Sequence, residues 1–513
     1  MKSSLADRFP PSEKAPDFNL PGLPSWAYFP AISVVALLAH WMALSSAFYM
    51  DDFPHILENG AVLGGEWGET TNWRWLPYLL WAGTAKIFGL SPVAFHLLNL
   101  AVHVGASCAV FVAGREIFER AGFLKSSEMR RHAAFFGAVI FACHPLCTEV
   151  VNYARCLMIG LVTLFSVLAA LYAVRFSQAP DWRCGAGLFA MVGLAAVSKD
   201  PGIFHAVSTV AIVGVALGDR DRLVSFLRED RFQGRARLLM IPVALILVLV
   251  VAWWLQRILG IAMGWKNLHF IHALTQARIF WDYVGLMFYP RMLCVDHYPS
   301  WSVGGFRDLE ATVKAIAILL LSAAVAIGLF RRRIRVVALL LALVLAPLLL
   351  RFLYPVKELM VEYRIYPAMP WVALLAGTAL AWLYGKQRLL GGAAVMVVVG
   401  AGVFLSQERS AVWRSVESIA SDVHIKYPLN GRGITQLQGA AFRAGDYAQV
   451  IRLREDLVRA VAAAEAYNRE QDGRRAYEGL RLHSNYCNAE QLVVYALADW
   501  KGPKEALKYA DAT

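Results

Sequence analysis

The chain has 513 residues, 58% of them hydrophobic, and a formal net charge of +12. Its mean hydropathy of +0.48 is too high for an ordinary soluble protein, and its regular succession of apolar runs and charged loops excludes a disordered one. The basic excess sits in short loops between apolar runs, where membrane topology and anionic lipid account for it, so the charge does not point to nucleic acid.

A helix needs about 20 apolar residues to cross the hydrocarbon. Runs of this kind begin near residues 26, 93, 133, 157, 184, 203, 238, 310, 336, 369 and 388, which predicts eleven spans and an all-α polytopic membrane domain over 26–405. The preceding segment, 1–25, has no cleavable-signal pattern because its apolar run starts late and is long enough to span, and it is expected in the cytoplasm. Arg115, Arg120, Lys125, Arg130 and Arg131 fill one connection; Arg175 and Arg183, the Arg-rich stretch 219–237, the run 331–335, and Lys386 with Arg388 fill every second connection after it. By the positive-inside rule these face the cytoplasm, and the alternate loops, with the tail 406–513, face outward. Leu76–Leu90 and Ile279–Leu293 are short apolar stretches flanked by aromatic residues and are read as interfacial or re-entrant helices within the outer loops. The seven cysteines are scattered without a C-x-x-C pair, and the odd number leaves at least one outside any disulfide.

From Gln407 the sequence turns polar, and an amphipathic helix is expected to leave the membrane there. Two helices joined at "AGDY" then predict a hairpin like a tetratricopeptide repeat, with a second candidate hairpin turning at "WKGP". The turn glycines, Gly445 and Gly502, are too far apart for a regular repeat of about 34 residues. Partner docking and simple closure over the membrane domain both fit such a short array.

The outer loops carry the unusual polar residues. "FYMDDFPHI" sets Asp51 and Asp52 directly after the first span, where ionisable groups are costly unless they work or pair. Moving a group from a membrane-embedded lipid phosphate needs a base for the acceptor hydroxyl and cations for the leaving phosphate. Arg364 in "EYRIYP" is the first candidate for the phosphate, since arginine binds it bidentately, and Lys199 in "SKDPG", Arg155 in "NYAR" and Arg74 in "NWRW" follow. Each could equally snorkel to lipid headgroups. Tyr363 and Glu362 flank Arg364, and Asp296, His297, Tyr298 and Trp301 in "VDHYPSW" suit a sugar ring or an acceptor groove, or else an interfacial aromatic belt. His144 and Glu149, five apart around a proline, do not have helical metal-pair spacing and fit a shaped loop better than a metal site. No metal-ligand pattern stands out, and a divalent cation remains compatible with the sequence.

The order of "DD" after the first helix, "NWRWLPYLLWAGTAKIFGLSPVAFHLLNLAVH", "HPLCTEVVNYAR", "SKDPG", "LTQARIFWDYVGLMFYPRMLCVDHYP" and "EYRIYP" resembles the transmembrane and tetratricopeptide-containing O-mannosyltransferases and their bacterial relatives, within the GT-C glycosyltransferase superfamily. The resemblance implies an inverting transfer of a monosaccharide from a polyprenyl-phosphate donor, with an aspartate of the first outer loop as base. Of the acidic pair it favours Asp51, leaving Asp52 to orient the acceptor, support its neighbour or bind a metal. An extracytoplasmic protein hydroxyl, such as a pilin Ser or Thr, is the expected acceptor, with a lipid or cell-surface glycan as the alternative. The expected setting is a bacterial inner membrane, with the site and tail on the periplasmic face. A transporter of lipid-linked sugars is the competing class, but the polar groups cluster at one face and no internal repeat is evident.

Overall fold

The computed structural model describes residues 25–64, 73–178, 180–219, 268–297, 308–352, 358–428, 430–470, 493–499, 501 and 504–506, and among them the regular structure is helical throughout. The expected span near 238, the segment 1–24, Tyr298, Trp301 and the turn at Gly502 lie outside the described residues. Each of the other ten expected spans is a helix: α1 (Tyr28–His40), α3 (Pro92–Arg120), α4 (Ser127–Cys143), α6 (Leu157–Gln178), α7 (Trp182–Ser198), α8 (Gly202–Leu217), α10 (Leu309–Leu329), α11 (Arg335–Leu349), α12 (Met369–Lys386) and α13 (Arg388–Ala411). With their continuations, seven are long and apolar enough to cross a membrane, and an eighth is the pair Ser127–Cys143 and Pro145–Asn152, bent by 55°. The bend follows from sequence, because Pro145 holds His144 in extended backbone (ψ 131) and stops α4 before the short helix α5 (Thr148–Asn152) begins. The helices α7 and α8, of 17 and 16 residues, are about 25 Å long, at the lower limit for a span. The chain is an integral membrane protein of all-α architecture.

Between helices in lipid there is little hydrophobic drive, so close backbone contact has to hold them. One such place is α4 against α12. A Cβ on Gly377 would lie 2.3 Å from the Gly137 nitrogen and 2.5 Å from the Ala133 oxygen. Helix α6 is mostly buried and occupies the middle of the bundle, whereas α10 and α13 are largely exposed and show Leu319, Leu320, Met396 and Phe404 outward.

Leu76–Leu90 falls on α2 (Trp75–Phe88), a separate helix before α3. The stretch expected to begin at Ile279 differs: α9 runs Leu268–Phe288, starting eleven residues earlier and ending before Leu293. The added half carries polar residues that an apolar run does not reveal: Thr275 and Gln276 are buried inside the protein, and the side chain of Gln276 donates to the Leu359 carbonyl.

Helix α13 passes without a break through the position where the tail was expected to begin. Trp413, Ile419 and Val423 belong to the same core as the bundle, so α14 (Val416–Lys426) is built onto it. The "AGDY" turn joins α15 (Gly431–Arg443) to α16 (Tyr447–Glu470), and Gly445, at φ +76°, supplies the left-handed residue that ends α15. Val493, Ala496 and Leu497 pack against Ala441 and Val450 of this hairpin.

Candidate active site

The loop after α1 leaves it through a 3-10 turn and is fixed at once, the Ala47 amide donating to the Trp413 carbonyl at 2.9 Å. Met50 then takes φ +37°, in the left-handed region that non-glycine residues avoid. The two aspartates after it have different surroundings. Asp52 is fully buried, its Oδ2 accepting from the Tyr49 amide (2.9 Å) and its Oδ1 from the Arg155 amide (2.7 Å). Burial raises its carboxyl to about 7, with the two amide donors pulling the other way. Asp51 has a side chain 46% exposed, paired with Arg155 Nη1 at 2.5 Å, while its amide donates to the Tyr153 hydroxyl at 3.0 Å. Only Asp51 presents an open carboxylate.

Cations surround it from separate elements. Arg155 lies in the 3-10 turn Ala154–Cys156 ahead of α6. Arg74, at the start of α2, reaches Asp200 with Nε at 3.2 Å and with a second, closer contact from Nη2. Lys199 ends α7 in extended backbone, its ammonium 4.8 Å from the Tyr363 ring centroid, and it forms no ion pair with the described residues. Burial first, then the nearby Arg155, pushes the Lys199 ammonium well below its ordinary value. Arg364, in the 3-10 turn Glu362–Arg364, sits over the other side of the same environment with its guanidinium 5.8 Å from the Tyr363 ring. It also binds the Glu358 carbonyl and, at 3.2 Å, the Glu358 carboxylate. His55 accepts or donates to the Tyr78 hydroxyl at 2.7 Å, and burial together with Arg155 lowers its pKa to about 4, which keeps it neutral near pH 7. Asp51, Arg155, Lys199, Tyr363 and Arg364 thus gather at one end of the bundle, with Arg74 and His55 beside them.

The remaining candidates lie deeper. Glu362 is fully buried, its Oε1 accepting from the Cys294 amide and meeting His297 Nε2 at 2.9 Å; His297 Nδ1 in turn meets the Tyr427 hydroxyl at 3.0 Å. Asp296 is buried too, 3.5 Å from Arg432 of the tail, and its carbonyl accepts from Asn430. These residues tie the loop after α9 to the tail. His144 Nδ1 accepts from the Leu146 amide and Nε2 meets the Met287 carbonyl; Glu149 accepts from the Tyr363 amide at 2.7 Å. Both shape the loops around Arg364. Among the described residues no group of three or more His, Cys, Asp or Glu is placed to hold a metal. Cys143, Cys147 and Cys156 are buried free thiols.

Several site residues had not been singled out. Asp200 stood next to Lys199 in "SKDPG" and Tyr153 two before Arg155, so adjacency was the available signal. Tyr49, two before Asp51, had the same signal, whereas Glu358 and Arg432 had none, because their contact with one another joins distant segments.

No family model matches the chain, and no curated protein matches it. A search of solved structures finds the crystal structure of the Archaeoglobus fulgidus oligosaccharyltransferase tethered to an acceptor peptide containing the NVT sequon. The similarity has a TM-score of 0.41 at 12% identity and covers 75% of this chain and 55% of that one, so the chain spans about half of its length.

Proposed function

We propose that this chain is an integral-membrane, inverting glycosyltransferase of the GT-C type, moving a monosaccharide from a polyprenyl-phosphate donor to a hydroxyl of an extracytoplasmic acceptor. The observation that carries the reading is the position of Asp51: the open member of a buried acidic pair, set among Arg155, Lys199 and Arg364 at one end of a membrane bundle. In the reaction the acceptor hydroxyl attacks the sugar's anomeric carbon as the bond to the phosphate oxygen breaks, and Asp51 takes the hydroxyl proton. The polyprenyl phosphate leaves with a full negative charge, stabilised by the cations around Tyr363. Arg155 holds the Asp51 carboxylate, and Asp52 fixes the Arg155 turn through its amide. Asp52 has both oxygens committed to backbone amides, so no step is assigned to it or to a divalent cation. A periplasmic setting in a bacterial inner membrane, with a protein Ser or Thr such as that of a pilin as acceptor, completes the proposal. The test uses the purified protein in nanodiscs with polyprenyl-phosphate sugars, offered a Ser/Thr peptide or a glycan. Release of polyprenyl phosphate coupled to peptide glycosylation is expected. Coupling to the glycan alone would change the acceptor, and no release with any donor would overturn the enzyme reading.

A further inference from the structure

A short π-helical turn, Phe53–Leu57, carries the chain on from the acidic pair. The His55 amide donates to the Asp51 carbonyl at 3.2 Å, which places His55 one helical turn beyond Asp51, a spacing at which side chains lie about 5–6 Å apart on one face. The ring is anchored at one nitrogen. Nδ1 meets the hydroxyl of Tyr78 of α2 at 2.7 Å, and Tyr78 is itself buried against Trp81. Nε2 has no hydrogen-bond partner among the described residues, and unlike the ring nitrogens of His40 and His96 it is not sealed in. Burial and then Arg155 keep the ring neutral near pH 7, and the other charges that reach it are Asp51, Arg74 and Lys199, the groups gathered around the open carboxylate. Tyr78 decides which nitrogen carries the proton. Its hydroxyl has one hydrogen to place, and His55 is its hydrogen-bond partner among the described residues. If Tyr78 accepted from Nδ1, that hydrogen would be left without an acceptor, so Tyr78 donates, Nδ1 accepts and the proton sits on Nε2.

On the reading of Asp51 as the base toward a polyprenyl-phosphate sugar, we infer that His55 binds the transferred sugar, its Nε2–H donating to a ring hydroxyl close to the anomeric carbon, and that Tyr78 is the positioning residue that sets its tautomer. The anomeric carbon has to lie within bonding reach of an acceptor oxygen held by Asp51, so a donor one turn away reaches the hydroxyls one or two carbons further along the ring. The neighbouring cations are left for the phosphate, and a neutral N–H suits an uncharged hydroxyl. His55 thereby makes the site selective for donors that carry this hydroxyl.

The test uses the full-length protein in nanodiscs with polyprenyl-phosphate hexoses, starting with mannose and glucose, and with the monodeoxy forms of the one turned over. Circular dichroism and size-exclusion profiles confirm the fold of each variant, and His55→Asn, too short to reach the hydroxyl, replaces His55→Phe should the latter not fold. His55→Phe lowers kcat/KM by about tenfold, the loss of one neutral hydrogen bond, and His55→Gln, which keeps an N–H at similar reach, recovers most of it. One deoxy donor, the one lacking the bound hydroxyl, is about tenfold poorer with wild type and is used equally by wild type and His55→Phe. Tyr78→Phe gives part of the His55→Phe loss with the full hexose and none with that deoxy donor, an outcome that a merely structural role for Tyr78 does not produce. A His55→Phe loss of the same size on every deoxy donor, an unchanged kcat/KM, or nitrogen NMR that finds the His55 proton on Nδ1 overturns the assignment. Wild type separates this from failure of the underlying reading: if it releases polyprenyl phosphate from no donor, both ideas go; if it turns a donor over and the His55 variants follow it on the full hexose and every deoxy form, only the His55 assignment goes.

Discussion

Replacing Asp51 with Asn tests whether its openness is put to use. The substitution keeps the shape of the side chain and removes its capacity to take a proton. Two costs have to be separated. The ion pair with Arg155 is lost, but with the Asp51 side chain 46% exposed it is screened by water, and a pair of that kind contributes at most about 1 kcal/mol. The Asp51 amide bond to Tyr153 does not depend on the side chain and remains. Loss of a general base costs about 100-fold to 10,000-fold in rate, which is about 3–5 kcal/mol of barrier. The chemical effect therefore exceeds the structural one several times over. Asp51→Asn is expected to leave abundance and donor binding near wild type and to abolish most transfer in a single-turnover assay. More than a tenth of wild-type transfer would refute Asp51 as the base. Loss of folded protein in step with activity would refute the argument that its ion pair is a minor support.

Arg364→Ala removes a charge-stabilising contact and is expected to cost about 3 kcal/mol, or roughly a hundredfold in turnover; equal turnover would leave Arg364 as a structural partner of Glu358. Asp52, raised from 3.8 to about 7 in the folded protein, favours folding fully below pH 3.8 and loses that contribution as the pH rises toward about 7, a ceiling of about 4 kcal/mol. The melting temperature of wild type should accordingly fall relative to Asp52→Asn between pH 4 and 7, and parallel curves would contradict the burial argument. Gly377→Leu drives a side chain into the Gly137 backbone and should lower the melting temperature sharply or prevent expression, whereas a tolerated leucine would mean that α4 and α12 are not in backbone contact. In a cysteine-free background, cysteines at Asp446 and Arg332 should label from opposite sides of the membrane, and labelling from one side would break the proposed topology.

Much of the bundle was legible because apolar length and alternating basic loops are local properties. The residues that begin the described spans sit within a few positions of those expected, and Arg155, Lys199, Arg74 and Arg364 stood out as cations in otherwise apolar surroundings. Helix α9 was harder, since its polar face points inward at Thr275 and Gln276 and lowers the hydropathy that marks a helix from outside. The division of labour within the aspartate pair was not written in the sequence at all. Two identical neighbours differ only because the Tyr49 and Arg155 amides converge on one of them. Asp296 and His297 read as part of an aromatic loop suited to a sugar ring or an interfacial belt; the tail residues Asn430, Arg432 and Tyr427 meet them, and no local pattern announces a contact across more than a hundred residues.

The tail also bears on the acidic loop itself. Met50 holds a left-handed conformation that costs about 1–3 kcal/mol and persists only where neighbouring contacts over-determine it. Those contacts come from three directions. Asp52 accepts from Tyr49 on one side of Met50, Asp51 donates to Tyr153 on the other, and the Tyr49 hydroxyl meets Gln436 at 2.7 Å. The Ala47 amide is held by Trp413, so the loop is gripped between the turn ahead of α6 and the segment after α13. A loop fixed this way points one carboxylate outward and commits the other to the backbone, which is the arrangement a base needs if it is to meet an acceptor without first reorganising. The helices after α13 are in this respect a wall of the candidate site, and the same contacts that keep Met50 strained are the ones that keep Asp51 in place.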